Sequence, residues 1–570
     1  MSVAVERIIR VGGLPAVYKI CQRLRLEEIV DEHLPLSAQA PVGFGKVLVA
    51  LVLNKLTAPT PLYRVQDWAV GHSLEQLLKV DPRQLNDDKL ARMLDAVAEK
   101  AETLKTAICF AAIDEFGLDV GRLHWDLTSL EFTGVYDEQD EEWATLTYGY
   151  HPAGVGKHIQ VRVGNLVCGD GAVGGLMHQT YSGNTSDQNS VMDHLHLFRK
   201  MAERYGKVPR LVGDSKLVSP EMMVKLEESG LQFICPEPSS QQLRAIFQEL
   251  VERENDQTWE PLHYLSERDK RQKNKPNPVF KGHELSFSVE IPEEDGESYI
   301  SGQSLARKSM GPKGGRPPKQ RRVYRFRRLV LFSSSNQLAQ RKNRERYLTR
   351  FEKALEELNV KFLSSWWLNK PESQAQSTVK KLLKSSKVGH FYKTELSRSE
   401  RGWVVKWSKN LEVLAEAEKL DGLYTIVTNV PDSEATMEEI FLDYKRQNDS
   451  ERRFADWKGP LQVRPLFLKS NQRIIGLIFV LAIALLVFSL IEREIRRHLP
   501  DGKMLGLLPV NRPVRATGQN ILQALESIQM VGLRIAGQLH WQAGPLNEVQ
   551  AQLLKFIGAD SRLFQARDGP

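Results

Sequence analysis

The chain has 570 residues, 41% hydrophobic and 26% charged, with 78 Lys+Arg against 71 Asp+Glu for a net charge of +7 and a pI near 9.0. That length exceeds a single compact core and implies roughly two to four domains, while the ordinary globular proportions exclude wholesale disorder and a multi-span membrane protein. The mild basic excess permits a polyanionic partner without requiring one.

Cys21, Cys109, Cys168 and Cys235 form no C-x-x-C pair, so neither a disulfide framework nor a zinc knuckle is readable and a reducing cytoplasm is expected. The start, MSVAVERIIRVGGLP, lacks the basic and apolar regions of a signal peptide, and export is not expected.

Residues 1–105 read as a helical N-terminal domain, because VYKICQRLRLEEIVDEHL, VGFGKVLVALVLNKL and DDKLARMLDAVAEKAETL carry apolar residues at three- and four-residue spacing. Asn86 or Asp87 is the expected cap of the third helix. DNA-end recognition is the functional reading of this region and plain structural packing the bland one.

From residue 106 to 240 the pattern turns to short β runs: RLHWDLTSLEFTG, KHIQVRVGNLVC, GGLMHQTYSG, PRLVGD and GLQFICPEP. A helix capped by Ser219 falls between the last two, which predicts an α/β core with a mixed sheet. The G-x-G-x-x-G of Gly169–Gly174 is followed by a strand and so reads as a hairpin turn, not a dinucleotide site. Asp137–Glu142 reads as a solvated acidic loop, and Asn184 heads a glycosylation sequon in form only.

Residues 241–420 read as an insertion containing amphipathic helices such as NRERYLTRFEKALEELN. Its basic stretch KSMGPKGGRPPKQRRVYRFRR, with Arg316, Lys319, Arg321 and Arg322, suits either a DNA-phosphate or minor-groove contact or a solubilising loop. Trp366, Trp367, Trp403 and Trp407 are expected in core packing, with base stacking the alternative. The core resumes over 421–500 with LYTIVTNVP and a long helix. Residues 501–570 are expected to be helical.

The stretch YKRQNDSERRFADWK, Tyr444–Lys458, is charged yet stands just before the 18 uncharged residues Ile474–Ile491. On one helix, Tyr444, Gln447, Glu451 and Lys458 fall within an arc of about 60°, a stripe that could hold a divalent metal and a phosphate together. A solvated face with i,i+4 pairs gives the same spacing. Asp126 and Asp214 interrupt or end apolar strands, where a carboxylate is costly unless paired or metal-bound, although either alone suits a cap or turn. With Glu451 they make three carboxylates on elements able to converge across one sheet, a set suited to hard Mg²⁺ or Mn²⁺ rather than structural zinc. The apolar run is long enough to span a bilayer, but a buried helix supporting the charged one from behind is the preferred reading.

Tyr444-x-x-Gln447-x-x-x-Glu451-x-x-x-x-x-x-Lys458 resembles the Y-x-x-R-x-x-x-E-x-x-x-x-x-x-K signature of the insertion-sequence-four superfamily of DDE transposases, with Gln447 in place of the usual Arg. WDLTSLEFTG, TYSGNTSD, VGDSKLVS, DGLYTIVTN, and the N-terminal VGGLPAVYKICQRLRLEEIVDEHLP and LNDDKLARMLDA extend the likeness over most of the chain.

The resemblance implies an α/β, RNase H-like catalytic core with a β-rich insertion, preceded by the helical N-terminal domain and followed by C-terminal helices. It implies Asp126, Asp214 and Glu451 as catalytic and metal-binding residues for two Mg²⁺ or Mn²⁺ ions, with Tyr444, Gln447 and Lys458 at DNA phosphates. Double-stranded DNA is the implied partner, as terminal inverted repeats and as target, bound by a homodimer in the cytoplasm with no membrane involved. The rival readings are a nuclease-only or catalytically inactive DNA-binding relic of a transposase.

Overall fold

The computed structural model describes residues 3–36, 40–132, 140, 142–150, 157–185, 187–215, 218–252, 259–266, 269–270, 276–292, 321–400, 402–459, 468, 470–535 and 538–559. They form two compact units: residues 1–217, 225–233 and 443–570, and residues 218–224 and 234–442.

The first unit begins with strand β1 (Val3–Arg10), which the helical expectation for residues 1–105 missed, and continues with helices between Leu14 and Phe116. Asn86 caps the Asp87–Glu99 helix as expected, its side chain accepting from the Lys89 amide at 2.9 Å. The five predicted β runs are all strands: β2 (Arg122–Glu131), β4 (Lys157–Cys168), β5 (Val173–Ser182), β6 (Arg210–Val212) and β7 (Gln232–Pro236). A short β3 (Thr147–Tyr150) and helices Asp187–Met192 and Leu195–Tyr205 complete the set.

β4 pairs antiparallel with β2, β3 and β5, whereas β2 pairs parallel with β6, and β7 follows β6 in the sheet. Residues 169–172 turn from β4 to β5 with Gly171 and Ala172 at positive φ, the hairpin expected of the G-x-G-x-x-G stretch. Ser219 caps the Pro220–Glu228 helix by accepting from the Met222 amide at 3.2 Å.

In the second unit, the last residues of β7 open an all-antiparallel order that continues with β13, β10, β9 and β8: β8 (Glu260–Leu262), β9 (Phe280–Pro292), β10 (Arg321–Ser333) and β13 (Leu423–Thr428). β13 was expected to resume the core, yet it pairs with β10 and the end of β7 in this unit. The insertion is mixed α/β rather than β-rich. Its 29-residue helix Ser334–Phe362 buries Leu348, Phe351, Leu355, Leu358 and Phe362, one stripe at helical spacing, against the hairpin β11 (Tyr392–Ser399) and β12 (Gly402–Lys409). Trp403 is buried in this core and donates its indole N–H to the Lys370 carbonyl, and Trp367 stands edge-on to Phe362 at 4.6 Å. Trp407 packs against the same cluster, and Trp366 is exposed with the Lys370 ammonium 4.2 Å from its ring.

The uncharged run lies in helix Asn471–Arg497, the central helix of the first unit, 94% buried over its most apolar window, where mean hydropathy is 3.2. It packs on β5 and on helices Leu14–Arg23, Phe44–Thr57 and Asp87–Glu99, so its all-round apolarity is that of a core helix. Each of its fully buried large side chains contributes about 1.5–3 kcal/mol. The approach to β5 is close enough to require glycine: a Cβ at Gly175, φ +73, would lie 2.4 Å from the Ala482 carbonyl oxygen.

The C-terminal region departs from the helical expectation. β14 (Lys503–Met504) pairs with β15 (Val514–Arg515), and β16 (Gln529–Ile535) pairs with β17 (Gln538–Ala543) and with β1. Helices Gly518–Leu525 and Glu548–Ile557 remain, both opened by capping boxes. MVGLRI is too short for a helical period to be told from a strand, and it needed β1, more than 500 residues earlier in the sequence, to become the middle of a sheet.

The charged helix Asn448–Lys458 is fastened to the central helix by buried ions. Glu492, on the central helix, accepts from Arg453 at 2.8 Å and from Arg452 and Arg496, and its second oxygen accepts from the Gly518 amide at 3.0 Å. Burial alone would raise its carboxyl, but Arg453, Arg496 and Arg452 hold it down to about 2. Glu492→Ala should leave the fully buried Arg453 with Asp456, at 2.9 Å, as its remaining acid and cost about 3 kcal/mol by denaturant unfolding. Because the folded carboxyl lies below its ordinary 4.5, its contribution is complete above pH 4.5 and lost as pH falls toward 2. Thermal melting between pH 6 and 3 should therefore be steeper for the wild type than for Glu492→Gln. Gly175→Ala should destabilise by about 1–3 kcal/mol through overpacking at the central helix, read by the same melts.

Candidate catalytic site

β2 and β6 run parallel with Arg122 opposite Arg210 and His124 opposite Val212. Asp126 and Asp214 each lie two residues beyond that last matched pair, Asp126 inside β2 and Asp214 just past the end of β6. Both are partly buried, and Asp126 accepts from the Leu127 amide at 2.8 Å. Pairing of Asp126 with Asn165 of β4 continues the ladder on the other side.

Parallel placement of the two strand starts has its own anchor, which sequence reasoning missed. Asp443 accepts from Arg122 at 2.9 Å and from Arg210 at 3.4 Å, joining the first residues of β2 and β6 to the end of helix Met437–Lys445. The only sequence signal was an arginine opening each strand. His124, on the same face of β2 as Asp126, is buried with neither ring nitrogen hydrogen-bonded among the described residues, and burial, with Arg122 and Arg446 nearby, lowers its pKa to about 3.

The expected single stripe of Tyr444, Gln447, Glu451 and Lys458 is broken. Helix Met437–Lys445 ends after Tyr444, Arg446 and Gln447 form a turn, and a second helix runs Asn448–Lys458. Gln447 occupies the cap position, its carbonyl accepting from the Ser450 amide at 3.0 Å and the Glu451 amide at 3.5 Å. The Gln-Asn-Asp-Ser run has poor interior helix propensity and good capping propensity, and each flanking helix is held by a different partner, Asp443 in one case and Arg453 in the other. Burial lowers Lys445, beside the turn, to about 8.

The second helix packs on β2 and β4, the strands carrying Asp126 and Asn165, and on the central helix. Arg453 reaches the β4–β5 turn, donating to the Ala172 carbonyl, and Trp457 is fully buried. Glu451 and Lys458, by contrast, are exposed.

Carboxylate oxygens suit a hard divalent cation. Among the described residues no three His, Cys, Asp or Glu side chains converge to hold one.

Arg316 and Lys319 lie outside the described residues. Arg321 and Arg322 are exposed at the start of β10, not in a loop, and Arg321 pairs with Glu290 at 3.0 Å. Further along the strand Arg327 binds Glu284 through two hydrogen bonds of 2.7 and 2.9 Å, and Arg328 binds Glu237 through two of 2.8 Å. Arg321, Arg327 and Arg328 are therefore each paired with an acid of the second unit. Of the acidic run Asp137–Glu142, only Asp140 and Glu142 lie among the described residues.

The fold is mixed α/β, with Asp126 inside β2 and Asp214 just past the end of its parallel neighbour β6. A family model described as "Transposase DDE domain" matches residues 112–487, and the chain belongs to that family. A second, "Domain of unknown function (DUF4277)", matches residues 6–109. No curated protein matches. Among solved structures, a cryo-EM structure of the piggyBac transposase synaptic complex with hairpin DNA is similar at 10% identity and a TM-score of 0.26, over 49% of this chain and 61% of that one. The chain thus spans less than two thirds of that protein.

Asp443→Ala should leave Arg122 and Arg210 without their shared acid and cost on the order of 3 kcal/mol in denaturant unfolding, with Asp443→Asn losing less because one acceptor remains.

Proposed function

We propose that this protein is the DNA transposase of an insertion sequence, of the insertion-sequence-four type, binding terminal inverted repeats and carrying out metal-dependent hydrolysis followed by strand transfer. The observation that carries this reading is that Asp126 on β2 and Asp214 just past its parallel neighbour β6 each lie two residues beyond the last pair of the ladder, inside the region matched by the transposase family. The order β5-β4-β2-β6-β7, an antiparallel meander followed by a parallel neighbour, supports an RNase H-like core.

On this reading Asp126, Asp214 and Glu451 are the catalytic carboxylates and the ligands of two Mg²⁺ or Mn²⁺ ions, and Glu451 joins the aspartates when DNA is bound. Tyr444, Gln447 and Lys458 contact phosphates of the transposon end, and Arg316, Lys319, Arg321 and Arg322 contribute a basic arm. Residues 1–105 recognise the DNA end, residues 106–240 and 421–500 form the core, 241–420 the insertion, and 501–570 the C-terminal region. The protein acts in the cytoplasm as a homodimer on DNA, since two ends must be cut together, with target DNA as the second substrate.

The glutamine at 447, where the resembled signature has arginine, favours one second reading, a nuclease-only or catalytically inactive DNA-binding relic. The test is cleavage of labelled DNA carrying the element's own inverted repeat, with Mg²⁺ or Mn²⁺. Nicking at the repeat boundary should fall by at least about 10³-fold in Asp126→Ala, Asp214→Ala and Glu451→Ala, as expected when a phosphoryl-transfer site loses a metal ligand. A joined product distinguishes transposase from nuclease, and binding without nicking by the wild type in either metal would leave the relic.

A further inference from the structure

We propose that the second unit carries a nucleotide-binding cleft, separate from the carboxylate site and not resting on its assignment. A cavity of about 740 Å³ lies between helix Gln241–Glu252, helix Ser334–Phe362 and strand β13, within the roughly 300–1,000 Å³ typical of small-ligand sites. All of its lining residues belong to the second unit.

Charge inside the cleft is sorted by position. Its two carboxylates are already bound in the wall, Glu237 by Arg328 and Asp421 by Arg344. Arg244 and Lys387 line the cleft as exposed cations and make no ion pair among the described residues. The excess charge facing a ligand is therefore positive and comes from two long side chains free to close on an anion. Between them stand Phe247 and Tyr347, half-buried aromatic side chains, with the Lys387 ammonium 5.4 Å from the Tyr347 ring. Thr425 is 98% buried in the wall, and its hydroxyl has no partner among the described residues. A buried hydroxyl without a partner is costly and is satisfied most directly by a polar edge entering the cleft.

Two exposed cations, Arg244 and Lys387, aromatic side chains in the same wall and a buried hydroxyl with no partner among the described residues are complementary to one chemical class: a phosphate ester bearing a flat heteroaromatic ring. Inorganic phosphate would leave the aromatic wall unused, and an uncharged ring would leave Arg244 and Lys387 unused. A nucleotide uses all three, with its base against Phe247 and Tyr347, a polar base edge at Thr425 and its phosphate at Arg244 and Lys387. The nucleotide is either free or an unpaired position in a DNA strand.

Fluorescence anisotropy on the full chain tests this with two probes, N-methylanthraniloyl-dATP and a 5′-fluorescein oligothymidine, each competed with inorganic phosphate. Saturable binding of at least one probe is expected, weakened about tenfold or more in the double variant Arg244→Ala/Lys387→Ala and in Phe247→Leu, with phosphate a far weaker competitor than unlabelled dATP. The charge variants lie on the exposed rim, and Phe247→Leu keeps the apolar volume, so circular dichroism should match the wild type. Binding of the oligothymidine assigns the cleft to a DNA strand, and binding of the mononucleotide alone assigns it to free nucleotide. No saturable binding of either probe, or binding untouched by both variants, would overturn the proposal.

Discussion

The central helix Asn471–Arg497 is the constraint on which the first unit depends. Its apolar surface is too large to face water, so everything that covers it is fixed in place: β5 on one side, the N-terminal helices on another, and the Asn448–Lys458 helix by its end. The charged helix buries Phe454 and Trp457 and is fastened to the central helix by a carboxylate, Glu492, placed near the C-terminal end of the greasy helix and met by three arginines. A buried ion pair is a poor source of net stability but a strict specifier of geometry, because displacing either partner strands the other in low dielectric. Burial draws Arg496 down to about 9, still cationic at neutral pH, so the cluster keeps its charges where the protein works.

That arrangement explains why the signature segment is two helices. Asp443 ties its first half to the beginnings of β2 and β6, whereas Arg453 ties its second half to the β4–β5 turn and the central helix. With both ends held by buried charges, the Arg446–Gln447 turn separates the two helices, and Gln447 becomes a cap. Glu451, four residues on, is exposed. Asp126 and Asp214 sit on neighbouring elements because parallel pairing aligns β2 with β6.

The second unit shows how misleading a charge run can be when read in one dimension. The arginines of residues 321–328 suggested a free basic surface, but β pairing sets Glu284 and Glu290 on β9 within reach of them, and β7 supplies Glu237. In the same unit Arg244 and Lys387, too far apart in sequence to form a run, stand as unpaired cations on one cleft. A surface potential follows from which charges are left over, and ion pairing across strands and helices decides that remainder.

By itself the sequence determined the local structure that short-range patterns control. Helical spacing of apolar residues, the caps at Asn86 and Ser219, the five apolar β runs, the hairpin at Gly169–Gly174, and the burial of Ile474–Ile491 were all legible, since each depends on residues within a turn or a strand of one another. The positions of Asp126 within a strand and of Asp214 at the close of one were legible for the same reason. Only the tertiary structure decided what those elements meet. It placed the β1–β16 pairing, the transfer of β13 to the second unit, the break at Gln447, and the Asp443 and Glu492 ion clusters. Each of these joins residues far apart in the chain, where no periodicity connects them and the outcome is set by which buried charge or open strand edge must be satisfied.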